Sequence, residues 1–290
     1  MARSSRLTKP ASQDLLRLEV VAVRRLAPHW MRVTLGGGDI GRFAPLGYDQ
    51  WFRLFLPHRS DSAGAGLERI PAKANRIFGY LSYLRIPEGI RPAMRNYTVR
   101  AYRASGPSGG AELDVDFVLH GSGPTAGPAS RWAASATVGE SVVIIDEGLG
   151  FSPERGVERV LLIADETGVP AVSGVCASLP STATGTVLVE APSADDVLEI
   201  DAPEGVEVRW LVRDAGACPG TLALSALRQL DPPAPDTHVF VVGEQSLPVA
   251  ARRHLVASGH PKDRISFVGY WRAGSASPTP AAERSGAEEH

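Results

Sequence analysis

Cysteine is scarce in this chain: Cys176 and Cys218 are the only two among 290 residues. Two thiolates cannot complete a cysteine-only zinc or iron–sulfur site within one chain. Cys176 lies in an apolar helical run, which marks it as a core residue. Histidine shows no ligand spacing: of the 7 present, His254 and His260 fall on an expected helix and in its following turn, and the rest are scattered, so no protein-held metal is expected. An excess of one charge is also missing. The 30 Lys and Arg against 32 Asp and Glu leave a net charge of -2, which gives no pull toward nucleic acid or an acidic membrane surface, and no basic stretch is interleaved with aromatics. No apolar run reaches membrane-spanning length. Met1-Ala2-Arg3-Ser4-Ser5-Arg6 leads into no apolar stretch of the signal-peptide kind, so the expected location is cytoplasmic, without membrane insertion. Finally, the part of the chain from Val157 onward holds no Gly-x-Gly-x-x-Gly, the ordinary dinucleotide fingerprint.

What is present fits two domains, each with its own core. Apolar residues at 43% and charged residues at 21% describe an ordinary globular protein. Six β segments are expected in the first half: Leu16 to Arg25, Trp30 to Leu35, Asp49 to Leu56, Arg95 to Arg100, 112–120 and 141–146, with one helix at 129–136 and a surface loop over 59–76. Short strands with turn signals between them predict an antiparallel, six-stranded β-barrel. From Val157 onward strands and helices alternate. Strands are expected at Arg159 to Ala164, Thr186 to Glu190, Val206 to Val212, His238 to Val242 and Ile265 to Gly269. Helices are expected at Val169 to Leu179, Thr221 to Leu230 and Leu247 to Ser258, with a further helix opening at Ser193-Ala194-Asp195-Asp196. That grammar predicts a C-terminal parallel α/β domain of nucleotide-binding type. The expected domains are 14–152 and 156–273, with flexible tails at 1–13 and 274–290.

Two stretches carry chemistry. Arg95-Asn96-Tyr97-Thr98-Val99-Arg100 reads as a strand on which Arg95, Tyr97 and Val99 share a face. It offers an aromatic plane, a hydroxyl and a cation, the set that a flavin needs against its ring, near its reactive edge and at its phosphates. The second stretch runs Asp116-Phe117-Val118-Leu119-His120 as a strand, breaks at Gly121, and restarts at Gly127-Pro128-Ala129-Ser130 as a helix. Strand, glycine-containing loop and helix start together form an anion site, because amide N–H groups and the helix dipole both face the loop.

Arg-x-Tyr-Thr-x-Arg followed by Asp-Phe-Val-Leu-His-Gly and Gly-Pro-Ala-Ser-Arg-Trp-Ala resembles the siderophore-interacting proteins, the FAD-dependent ferric-siderophore reductases of the ferredoxin-reductase-like superfamily. Ala164-Asp165-Glu166-Thr167, Gly243-Glu244 and Gly269-Tyr270-Trp271-Arg272 extend the resemblance in the family's order. It implies FAD bound by Arg95, Asn96, Tyr97, Thr98, Asp116, Val118, His120 and Gly127 to Ser130. It also implies a nicotinamide-binding lobe, with NADH or NADPH as donor, in which Asp165, Thr167 and Trp271 approach the cofactor and Thr167 joins Tyr97 and Thr98 in the catalytic set. Glu190, standing where an NADPH site would carry a basic cluster, leans toward NADH. A ferric siderophore carries anionic oxygen donors, so a cationic rim of Arg53, Arg252, Arg253, Lys262 and Arg272 would attract it. The expected protein is a monomeric ferric-siderophore reductase; the alternatives are a flavin reductase serving a protein acceptor and a non-catalytic siderophore binder.

Overall fold

The computed structural model describes residues 8–58, 61, 64–72, 77–121, 126–151 and 157–274. Most of the two expected tails and the domain limits at 152 and 156 lie outside these residues. The described chain forms two units. One comprises Pro10–Pro45 with Trp51–Glu147, and the other the chain from Gly148 onward with Leu46–Gln50.

The first unit is built on seven strands: β1 (Leu15–Ala27), β2 (Trp30–Gly36), β3 (Trp51–Leu56), β4 (Ala93–Thr98), β5 (Ala101–Arg103), β6 (Glu112–Val118) and β7 (Ser141–Gly148), in the order β4-β3-β7-β1-β2-β6-β5. Alternation along each strand sends Leu16, Leu18, Val33, Phe52, Leu54, Leu113, Val115, Phe117, Val142 and Ile144 into one core, as a pleated surface with one buried face requires. All six expected strands are present. The added strand, β5, is only three residues long, too short to leave a periodic signal. Among the described residues the sheet is antiparallel and barrel-like, not a ladder closed by hydrogen bonds. Its two edges, β4 and β5, are successive lengths of the same chain, and the Arg100 N–H already donates to the Asp114 carbonyl of β6 at 2.9 Å.

One expectation is corrected here. Besides α3 (Pro128–Ser135), this unit holds helix α1 (Ala65–Glu68) within the expected loop over 59–76, and helix α2 (Ile77–Leu84) in a stretch that carried no expectation from the sequence. Phe55, Val143 and Ile145 point away from the main core. Leu67, Ile70, Tyr83 and Ile86 cover them, with the Tyr83 and Phe55 rings 5.8 Å apart and the Tyr83 hydroxyl donating to the Pro92 carbonyl at 2.6 Å. The second face of the sheet demanded a cover that its own composition does not announce.

The second unit is a five-stranded parallel sheet of β8 (Arg159–Ala164), β9 (Thr184–Ala191), β10 (Gly205–Val212), β11 (His238–Glu244) and β12 (Ile265–Trp271), ordered β10-β9-β8-β11-β12. Helices α4 (Val169–Ser178), α5 (Thr221–Gln229) and α6 (Ser246–Ala257) follow β8, β10 and β11. Strand order reverses between β8 and β11, the place where open parallel sheets bind ligands. The helix expected from Ser193 is not formed. Ala194–Asp196 is a single 3-10 turn, closed by the Ser193 hydroxyl donating to Asp196 at 2.7 Å; the stretch after it alternates apolar and acidic residues and reaches Pro203, which suits extended chain.

Leu46–Gln50 is fastened to the second unit by Asp49, whose buried carboxylate accepts the Gly150 and Phe151 N–H groups at 3.1 and 2.8 Å. Burial pushes the Asp49 carboxyl up to about 6 from 3.8, against the pull of those amides. The folded state therefore binds the proton more tightly than the unfolded chain does. Stability contributed here is present below pH 3.8 and lost as pH rises to about 6. Asp49→Asn is expected to flatten that part of a urea-denaturation profile; a slope identical to that of the parent would sink the assignment.

Candidate functional site

The register of β3 and β4 sets Tyr97 opposite Phe52 and Arg95 opposite Leu54, so both residues lie on the core face of the sheet. The Tyr97 ring is half-buried and packs on Phe117, centroids 4.3 Å apart at 42°. Phe117 in turn meets Trp132 of α3 at 5.6 Å. Burial raises the Tyr97 hydroxyl well above its ordinary range, so the ring acts as a neutral surface. Thr98, next along the strand, is buried.

Helix α3 opens with extended Gly127 and with Pro128 at its first position, where the missing N–H removes no helical bond. No side chain among the described residues caps it. The His120 N–H donates to the Ser130 hydroxyl oxygen at 3.1 Å, tying the end of β6 to the helix start. A Cβ on Gly127 would come within 3.3 Å of the His120 ring, so the small residue lets the loop approach His120. The structure thus brings His120 and Gly127 to Ser130 together, beside the ring chain from Tyr97 through Phe117 to Trp132, while Val118 shares the Asp116 face of β6. An uncapped helix start of two turns, with a flat ring close by, fits the diphosphate and ring system of FAD.

Other expected members of the site are placed differently. Asp116, on the opposite face of β6 from Phe117, is buried and held in a bidentate pair by Arg32 at 2.6 and 2.7 Å, with Arg100 at 3.7 Å. Its carboxylate balances arginines and is not turned to the ring face. Asn96 is exposed, and Arg95 donates to the Met94 carbonyl at 2.7 Å. Arg53 is no part of an exposed cationic rim: it is 5% exposed and paired with Glu147 at 2.7 Å. In the second unit Arg252 lies 5.1 Å over the Phe267 ring, while Arg253, Lys262 and Arg272 are exposed.

The carboxyl edge of the second sheet gathers Asp165, Thr167 and Trp271. Asp165 is fully buried and accepts from the Thr167 N–H at 2.8 Å, the Glu244 N–H at 2.6 Å and the Trp271 indole at 3.1 Å. Burial first, and the neighbouring Glu166 second, push its carboxyl up to about 6. Arg213 was not foreseen. It grips Glu166 with two bonds of 2.5 Å and lies 3.6 Å from Glu190. Only the strand order β10-β9-β8 could have revealed it, since opposite charges 47 residues apart leave no local pattern.

Glu190 overturns its own reading. It has no exposure, and its oxygens accept the Gly220 and Ala223 N–H groups at 2.5 and 2.7 Å. The carboxylate anchors the start of α5 and cannot read a nucleotide ribose, so the lean toward NADH loses its basis. Glu190→Ala is expected to lower stability by about 2–3 kcal/mol, because buried amides and Arg213 lose their acceptor. The NADH-to-NADPH rate ratio should stay within about twofold, well under the tenfold that 1.4 kcal/mol represents. A changed ratio with unchanged denaturation midpoint would restore the ribose role.

Residues 19–149 match the family model described as the siderophore-interacting FAD-binding domain, and residues 157–274 match that of the siderophore-interacting protein. The chain is 31% identical over 263 residues to the ferric vibriobactin reductase ViuB of Vibrio cholerae, covering 89% of each. It is 25% identical to the NADPH-dependent ferric-chelate reductase of Escherichia coli, covering 88% of this chain and 92% of that one. A solved siderophore utilization protein from T. fusca superposes with a TM-score of 0.77 at 31% identity, over 96% of this chain and 100% of the other. The fold is ferredoxin-reductase-like: a ferredoxin reductase in carbazole 1,9a-dioxygenase superposes with a TM-score of 0.62 at 18% identity, over 90% of this chain and 71% of the other. The chain belongs to the siderophore-interacting protein family.

Proposed function

We propose that this protein is an FAD-dependent ferric-siderophore reductase that draws on NADH or NADPH and releases iron for assimilation. The observation that carries the reading is the convergence of the Tyr97 ring, the His120 end of β6 and the start of α3, which no side chain caps among the described residues, within the stretch that matches the FAD-binding family. The names of the relatives from Vibrio cholerae and Escherichia coli support the same chemistry.

Residues Gly127 to Ser130 would hold the FAD diphosphate through backbone amides and the helix dipole. Tyr97 would give the ring a neutral, half-buried surface, and Thr98 a hydroxyl at its edge; Arg95 would offer a cation from the same strand face as Tyr97. When bound, FAD supplies the conversion of a two-electron hydride donor into single-electron delivery to Fe(III). Asp165, Thr167 and Trp271 would receive the donor at the switch point between β8 and β11. Arg253, Lys262 and Arg272 are the exposed cations that would attract the anionic ferric siderophore. Iron leaves because Fe(II), softer and less charged, binds hard oxygen donors poorly. The reading includes a monomer working in the cytoplasm, with FAD held by 14–152 and the donor by 156–273. No helix among the described residues is long and apolar enough to cross a membrane.

Purified protein should be yellow, with an oxidised-flavin spectrum, and should oxidise NADH or NADPH when a ferric siderophore is added. Faster turnover with cytochrome-type acceptors than with any ferric chelate would replace it by a reductase serving a protein partner. Absent flavin with retained siderophore binding would make it a carrier.

A further inference from the structure

We infer that Asp165 is a positioning residue of the donor site: its carboxylate fixes the Thr167 hydroxyl and the Trp271 indole together, so that Thr167 meets the donor as a hydrogen-bond acceptor. The inference rests on reading the carboxyl edge of the parallel sheet as the nicotinamide-nucleotide site.

Asp165 follows β8 directly, at the switch point beside β11. Its Oδ1 accepts the Thr167 N–H at 2.8 Å and the Thr167 hydroxyl at 2.5 Å. Its Oδ2 accepts the Glu244 N–H at 2.6 Å and the Trp271 indole N–H at 3.1 Å. An ionised carboxylate offers about four acceptor positions and no donor, so these four bonds, from the turn after β8, the end of β11 and the end of β12, use it completely. Space has been made for it. Gly243 has φ +133, and a Cβ there would lie 2.6 Å from the Asp165 Cγ.

The consequence falls on Thr167. Its hydroxyl has one hydrogen, and that hydrogen points at Asp165; only oxygen lone pairs remain to meet a ligand. Thr167 is half-exposed between buried Glu166 and Gly168, so those lone pairs are what the turn presents. They match the N–H groups of a primary carboxamide, the one amide of the nicotinamide ring. Glu166 does not compete for Thr167, since Arg213 holds both its oxygens. Trp271 is fastened at both ends: its indole to Asp165 and its carbonyl to the Gln245 N–H at 2.8 Å.

The charged groups around Asp165 are Glu166, paired with Arg213, and Glu244, whose carboxylate accepts from Ser246 and Ala273. With its carboxyl at about 6, Asp165 accepts all four bonds above that pH. Below it, one oxygen carries a proton and one donor loses its place.

The test uses the full chain loaded with FAD, labelled with 15N, with the Trp271 indole signal assigned through Trp271→Phe among the five tryptophans. The signal should shift in a single step near pH 6, and the KM for whichever of NADH or NADPH is oxidised should rise below that pH with a smaller change in kcat. Asp165→Asn should abolish both steps and raise KM about tenfold at neutral pH, the loss of one hydrogen bond. Thr167→Val should raise KM similarly, and Thr167→Ser should retain the parent value, which keeps the idea exposed even if Asp165→Asn folds poorly. An indole signal indifferent to Asp165→Asn, or a KM step that survives it, overturns the positioning role. If the loaded parent oxidises neither nucleotide, the reductase reading falls instead, and the indole titration still reports whether Asp165 holds Trp271.

Discussion

Tyr97→Ala releases FAD: affinity is expected to drop roughly 5- to 150-fold, the effect of removing an aromatic stacking surface worth about 1–3 kcal/mol. Tyr97→Phe keeps the ring and loses only a hydroxyl that burial already holds protonated, so it should bind FAD within about twofold of the parent. The pair of variants separates the ring face from the phenol. The Ala variant also removes the partner of Phe117, whose ring lies 4.3 Å away, and a modest loss in the first unit's thermal midpoint should accompany the loss of flavin. The second unit shares none of that core and should keep its own denaturation transition. Flavin content after gel filtration and a fluorescence titration measure the affinity; parent-like retention by Tyr97→Ala would remove the site from this face of the barrel.

Arg53→Ala is the more damaging change. The Arg53–Glu147 pair has side chains 7% and 4% exposed, and removing one member takes a close counter-ion from a buried charge, a loss of about 3–5 kcal/mol. Glu147 also accepts from Gln13 at 3.0 Å, a neutral donor that does not balance its charge. The double variant Arg53→Met/Glu147→Leu should recover most of the stability, since an apolar pair of similar volume is often neutral or better. Ferric-siderophore affinity of that double variant should match the parent, whereas Arg272→Ala and Lys262→Ala should weaken it in a salt-dependent way. Urea denaturation and a binding titration at two ionic strengths decide between the roles. A stable Arg53→Ala protein with lost siderophore affinity would return Arg53 to the substrate rim.

The contrast between Tyr97 and Arg53 shows which features local sequence can carry. Tyr97 stands in a strand whose period-two pattern fixes its face, and its neighbours Arg95 and Thr98 lie within three residues. His120 and Gly127 are similarly close in sequence, and a glycine-proline helix start is a local signal. Arg53 has an equally clear strand around it, yet its partner Glu147 lies 94 residues away and comes beside it only because β3 and β7 are neighbours in the sheet. Arg32 and Asp116, 84 residues apart, and Glu190 with Gly220, 30 apart, follow the same rule. In each case a charged residue was given to a ligand when the fold had already given it a protein partner. Helices α1 and α2 were missed for a related reason: short, weakly amphipathic helices owe their stability to packing, and the face they cover exists only once the sheet has formed.

The amino-acid order by itself determined the two lobes, the strand-rich first half, the strand–helix alternation of the second, and the place of the aromatic strand and glycine-containing helix start. These follow from which face of each segment is apolar and from local turn chemistry, and both are written in consecutive residues. The tertiary structure alone decided which charges are spent inside the protein and which remain for ligands, because strand order, not spacing along the chain, chooses the partner of a buried charge.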